Sequence, residues 1–283
     1  MSFGESVRQI TRLVFDLAKA AIRVTGVDDY YLQISKGQVS GHVRSAIVGH
    51  NDNVSAVSQT VWPATGNVPK PLATAVIMTV SSTNANDTLL GTGAREIFIS
   101  GVTDGYIFAS ETVETDGVNP VNTVNTYIHI NQKDIPAGSA GALGGNIGTI
   151  YIGTGTVTAG VPAVVFNLIE PLAGVSRSCF FSVPADKYIG IVDRLATLNS
   201  NKTAILSIET TLDGVTYRGN INNLVGQIPL NLSTPTSLIP PETFLEVRGN
   251  VDTGSGELTE GFGIIIIDSS LVSLPLLEIF RGI

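Results

Sequence analysis

Three Asp-Gly dipeptides constrain the fold of this chain more than any other feature. Asp104-Gly105, Asp116-Gly117 and Asp213-Gly214 each separate two runs of strand composition. Asp-Gly favours the positive backbone angles of a type I′ hairpin turn. The flanking runs carry a period of two. Leu245 and Val247 alternate with Glu246 and Arg248, and in Tyr127-Ile128-His129-Ile130 the isoleucines share one face, the pattern of half-buried antiparallel strands. Strands are expected over 73–81, 96–100, 105–113, 123–133 and 146–153, then over 178–183, 188–193, 204–212, 215–218, 244–250 and 261–268. This predicts a mainly β protein with two antiparallel β-sandwich-like domains, residues 73–170 and 171–270. The boundary falls at Glu170-Pro171-Leu172-Ala173-Gly174, and each unit has a common size for that architecture. Residues 27–72, broken by Gly37, Gly41, Gly49, Pro63, Gly66, Pro69 and Pro71, read as an irregular or edge-strand connecting segment.

A short N-terminal α-helix is expected to precede the sandwiches. Phe3, Val7, Ile10, Val14, Leu17, Ala21 and Val24 follow a heptad-like spacing, Ser2 and Glu5 make a capping box, and Gly26 is a terminator. Residues 1–26 therefore read as an amphipathic interaction arm, with Val7, Ile10, Val14, Leu17 and Ala21 as its contact seam. Residues 1–24 hold four basic and two acidic side chains, which leaves the remaining chain at −10 of the total −8. The other terminus, 271–283, is an apolar tail in which Pro275 opposes a continuous helix or central strand. Its Leu274, Leu277 and Phe280 are expected to dock on a neighbouring subunit or on a strand edge of the second domain.

Charge narrows the function. Only 14% of residues are charged and the balance is acidic, so a nucleic-acid backbone is not an expected partner. The N-terminus lacks the apolar core of a signal peptide, and Asp268 cuts short the apolar run Gly263–Ile267, so neither a leader nor a membrane span is expected. Cys179 is the one cysteine and reads as a buried thiol. His42, His50 and His129 show no metal-ligand spacing, and neither a nucleophile elbow nor a phosphate loop occurs. Gly153–Gly160 reads as a hairpin loop. The acidic groups Glu111, Glu114, Asp116 and Glu257, Glu260 flank predicted turns, and Asn51-Asp52-Asn53 and Asn84–Asp87 do not fit an EF-hand. No enzyme activity and no cofactor is expected.

Two stretches carry a resemblance. Asn53-Val-Ser, Thr60-Val-Trp62-Pro, Pro71-Leu-Ala, Ser81–Thr88 and Gly91-Thr-Gly-Ala-Arg95 form the first; Glu111-Thr-Val, Asn146–Ile150, Phe181–Ala185 and Pro240-Pro-Glu242 continue it. Together they resemble virion structural proteins of tailed bacteriophages, especially aquatic ones, with related proteins in large algal viruses. The glycine-rich turn expected after the Trp is replaced by Pro63-Ala-Thr. The resemblance implies a non-enzymatic capsid decoration or minor capsid protein, made in the host cytoplasm and carried in the virion. Its partners would be capsid or tail subunits and further copies of itself, a trimer favoured. A tail, collar, baseplate or fibre-attachment component and a host-surface glycan-binding module are the alternatives. Trp62 and Arg95 are candidate interface anchors, residue types favoured at hot spots; a core Trp and an Arg pinned by carbonyls are the competing reading.

Overall fold

The computed structural model describes residues 30–142, 144–226, 229–232 and 238–272. The helix expected over 1–26 and the tail beyond Val272 lie outside the described residues. By internal contacts the chain divides into two units, 1–44 and 45–283. In the first, helix α1 (Tyr30–Ser35) buries Ile34. The Tyr30 ring lies 5.8 Å from that of Tyr31 and 6.1 Å from that of His42. This helix falls inside the segment expected to be irregular; six residues are too few for a helical period to show in sequence.

The described residues of the second unit are strands and loops, apart from two 3-10 turns at Asp104–Tyr106 and Ser269–Leu271. Strand β1 (His42–Ser55) runs into it, followed by β2 (Gln59–Thr60), β3 (Val76–Ser82), β4 (Glu96–Val102), β5 (Phe108–Glu114), β6 (Val121–Tyr127), β7 (His129–Asp134), β8 (Ile150–Thr158) and β9 (Val161–Ile169). Then come β10 (Phe180–Ser182), β11 (Lys187–Asn199), β12 (Thr203–Leu212), β13 (Val215–Val225), β14 (Leu230–Leu232), β15 (Phe244–Val251) and β16 (Ser255–Asp268). They form four sheets: β1-β16-β11-β14, β10-β15-β12-β13 with β2 also on β15, β6-β3-β8-β9, and β5-β4-β7. The last two enclose one core, with Met78, Val80, Ile97, Ile99, Ile150 and Phe166 at its centre. The first two enclose another, built on Val54, Ile189, Leu206, Val247, Leu258 and Phe262.

The second core has a nested pairing order. β12 pairs with β13, β11 with β14, β10 with β15 and β1 with β16. One long hairpin, rolled so that β11 also meets β16 and β12 also meets β15, is an eight-stranded jelly roll. Its second strand is composite. β2 pairs with β15 at Thr60↔Arg248, and β10 pairs with the same strand from Phe180↔Glu246 onward. At the splice the Val61 amide donates to Val247 O, the Val247 amide to Cys179 O, and the Cys179 amide to Val61 O, each at 2.9 Å. The first sandwich is thus inserted within a jelly-roll strand. Gly49 of β1 crosses this splice, where a Cβ would lie 2.4 Å from both the Cys179 Cβ and Val61 O.

The sequence-based domain limits need correcting on this point. β1 and β2, over residues 42–60, supply the first strand and part of the second strand of the jelly roll, so that domain does not begin at 171. Pairing over such a chain separation leaves no local signature in residues 27–72. The stretch 123–133 is also two strands in two sheets; Ile128 crosses between them, with its amide donating to Val102 O at 2.8 Å. Residues 127–131 are buried on both sides as a result, not wet on one face. Of the Asp-Gly signals, Asp213-Gly214 makes the two-residue hairpin, with φ of 50° and 76°. Asp104-Gly105 lies in a longer loop and Asp116-Gly117 joins strands of different sheets.

Candidate functional site

Trp62 stands where the chain leaves the jelly roll for the inserted sandwich. Its side chain is 3% exposed and clusters with Val68, Phe180 and Phe244, and its indole N–H donates to Gly66 O at 3.1 Å. Its packing surface is used within the chain, so the core reading describes it and the exposed-anchor reading does not. Beside it, His129 of β7 is fully buried between the edges of Phe180 and Phe244, with ring centroids 5.2 and 4.9 Å away. Its Nδ1 lies 3.0 Å from the Ser182 hydroxyl, and Nε2 is buried with no partner among the described residues. Burial pushes the imidazole down to about 3; charging it would leave a cation in an apolar pocket. Asn131 and Ser182 exchange two hydrogen bonds, of 2.8 and 2.7 Å. Lys70 closes the junction, paired with the buried Glu246 carboxylate and 4.8 Å from the Phe244 ring centre. Thr60 donates to the other Glu246 oxygen at 2.7 Å.

The other motif residues hold loops together. Asp87 is fully buried. Its carboxylate accepts from the amides of Ala94, Ile147 and Gly148 at 2.8–2.9 Å and from the Ser82 hydroxyl at 2.6 Å. Asn146, also buried, donates to Gly148 O and Glu170 O at 2.7 Å. Two stretches quoted in the resemblance, 81–95 and 146–150, thereby meet as one polar knot. Arg95 is half-buried, its Nε has no partner among the described residues, and its backbone joins Ser139 and Thr115. Val7, Ile10, Val14, Leu17, Ala21, Leu274, Leu277 and Phe280 lie outside the described residues.

Within the acidic groups, Glu111 and Glu260 are taken up by structural contacts. Glu111 stitches the two sheets of the inserted sandwich, accepting from the Val124 and Asn125 amides and the Tyr127 hydroxyl. Glu257 and Glu260 sit on opposite faces of β16, whose burial alternates residue by residue. Glu260 points inward to an ion pair with Arg194; burial raises its carboxyl against the pull of that arginine. Lys133, fully buried, donates to Ile150 O at 2.8 Å, and burial holds its amine well below the usual lysine range. The Cys179 thiol is buried and pushed up, which removes its nucleophilic form.

One chemistry-bearing cluster was invisible in the sequence. His50 and Asp52 of β1 meet Glu257 of β16, and one ligand atom from each lies within 4.8 Å of the others. His50 Nε2 is 2.7 Å from Asp52 Oδ1, and Nδ1 is 2.9 Å from the Thr259 hydroxyl, 209 residues away in the chain. A cleft of about 420 Å³, lined by Glu170–Ala173 and Arg177, opens over His50 and Asp52. Only the pairing of the first strand with the last brings these residues together.

The fold and its junction define a jelly-roll β-protein carrying an inserted sandwich. No protein-family model matches the chain, and no curated protein is similar to it. Among solved structures, the crystal structure of the STIV MCP is 8% identical, with 84% of this chain and 100% of that chain covered and a TM-score of 0.20. The infectious bursal disease virus Gt strain structure is 9% identical over 86% of this chain and 79% of that one, with a TM-score of 0.18. The infectious bursal disease virus VP2 subviral particle is 9% identical over 82% and 74%, with a TM-score of 0.17. Superposition at that level identifies neither the fold nor the role of this chain. No described helix is long and apolar enough to cross a membrane.

Proposed function

We propose that the chain is a non-enzymatic structural protein of a virion, working by packing against other subunits. One observation carries the reading: a second sandwich is spliced into a jelly-roll strand and locked there by a buried aromatic and polar junction. Both of its connections are fixed, so the two cores form one stiff block suited to repeated contacts. Jelly rolls also occur in lectins and cupins, so the fold alone does not choose the role. The resemblance of residues 53–95 and 146–150 to tailed-phage virion proteins favours the virion. The finer assignment is a capsid decoration or minor capsid component that forms a homo-oligomer, a trimer favoured. Apolar side chains such as Leu90 (94% exposed) and Val124 (87% exposed) are available to such contacts. Cryo-electron microscopy of intact particles tests the proposal. Copies spread over the head lattice support decoration, a ring at the tail supports the tail reading, and absence from the particle overturns both.

A further inference from the structure

We infer that His50, Asp52 and Glu257 bind a divalent transition-metal cation of the zinc type, clamping the first strand of the jelly roll to its last. The inference is independent of a role in a virion. Residues two apart on a strand share a face, which puts His50 with Asp52 on β1 and Glu257 with Thr259 on β16. One imidazole nitrogen and two carboxylates are a donor set that zinc accepts, with water in the fourth position.

Two features go beyond proximity. The Thr259 hydroxyl sits 2.9 Å from His50 Nδ1; once an ion takes Nε2, the ring proton sits on Nδ1 and this hydroxyl accepts it and orients the ring, the outer support that ligating histidines usually have. In the metal-free chain the 2.7 Å contact of His50 Nε2 with Asp52 Oδ1 is an N–H···O hydrogen bond, and a cation entering here would take the place of that proton between the same two atoms. Glu257 is likewise anchored through one oxygen, Oε2, by the Asn199 side-chain amide at 2.7 Å, which frees Oε1. Asp52 is 74% exposed, so its carboxylate can move out to the ligand spacing that bonds of about 2.0–2.2 Å require. The cleft over His50 and Asp52 gives the ion an entry path. Calcium takes six to eight oxygen ligands, more than this cluster offers.

The test is isothermal titration of the full chain, freed of metal with EDTA, with zinc chloride and separately with calcium chloride. One saturable equivalent of zinc, a higher melting temperature with zinc, and no comparable response to calcium are expected. Asp52→Asn, at an exposed position, should weaken zinc binding at least tenfold without changing the metal-free melting temperature; Thr259→Val should weaken it about tenfold. Glu257→Gln serves as a second ligand variant. Absence of saturable zinc binding, or zinc binding that survives both Asp52→Asn and Glu257→Gln, overturns the inference.

Discussion

Asp87 and Lys133 show how differently a buried charge-bearing residue can be treated. Asp87 accepts four hydrogen bonds from three chain segments, each charge-assisted. Asp87→Asn turns an all-acceptor group into one that also presents N–H to donors. The variant should lose about 3 kcal/mol, read as a lower urea midpoint with an unchanged m-value. Lys133 donates to Ile150 O in a fully buried setting. Its folded-state pKa is depressed, so below the ordinary lysine range the unfolded chain binds the proton more readily. The resulting cost to stability grows as pH falls from about 10.4. Lys133→Met should therefore raise the melting temperature at pH 7, and the gain should shrink on approaching pH 10. Neither environment could be read from the sequence. Asp87 stood in an Asx-rich turn that looked like solvent-facing loop chemistry, and its partners near 147 are brought to it only by tertiary packing.

Elements were legible where the signal was local and opaque where it was not. The hairpin at Asp213-Gly214 and the apolar Leu245 and Val247 locate β12, β13 and β15, because turn chemistry and a period of two act over short spans. But β13 runs on from the expected end at 218 to Val225, and Glu246, expected on a wet face, is buried. The sequence predicts only 261–268 of strand β16, because Glu257 and Glu260 read as flanking a turn. On a strand, a separation of three sends them to opposite faces, one toward His50 and one into the core. The His129 junction between β7 and β10 has a pH signature. Its imidazole is depressed to about 3, so the stability it contributes is present above the ordinary histidine range near 6.5 and is lost as pH falls from there toward 3, by about 1.4 kcal/mol per unit. Lys70, whose charge adds to that depression, is itself paired with Glu246. Urea midpoints measured from pH 7 to pH 4 should fall more steeply for the natural protein than for His129→Gln. Glu260 works in the opposite sense. Its raised carboxyl contributes stability below the usual carboxylate range that fades as pH rises through the folded value, so the comparison must be of slopes between variants.

For the whole molecule, assembly is the property to measure. In the proposed homo-oligomer, the seam expected at Val7, Ile10, Val14, Leu17 and Ala21 would be too short to associate strongly alone, so the β block would supply most of the contact. Light scattering should give an oligomer for the full chain and a smaller or weaker one after removal of residues 1–26. Removal of 271–283 should lower both assembly and thermal stability, since its apolar side chains would lose their seat or expose one. Equal oligomers in all three proteins would place the assembly surface on the β block, with Leu90 and Val124 as the first positions to charge.

The divided strand also governs how the chain can be made. β1 and β2 leave the ribosome early, yet β15 and β16, their partners, come last. At about 5–20 residues per second, β1 waits on the order of tens of seconds for its neighbour. The inserted sandwich has all its strands by residue 169 and can close during that interval, bringing the ends of its own loop together. Val61 and Cys179 then stand side by side as a ready half-sheet when Val247 arrives. A nascent chain stalled before residue 244 should thus protect residues 76–169 from protease while leaving 45–61 open to cleavage.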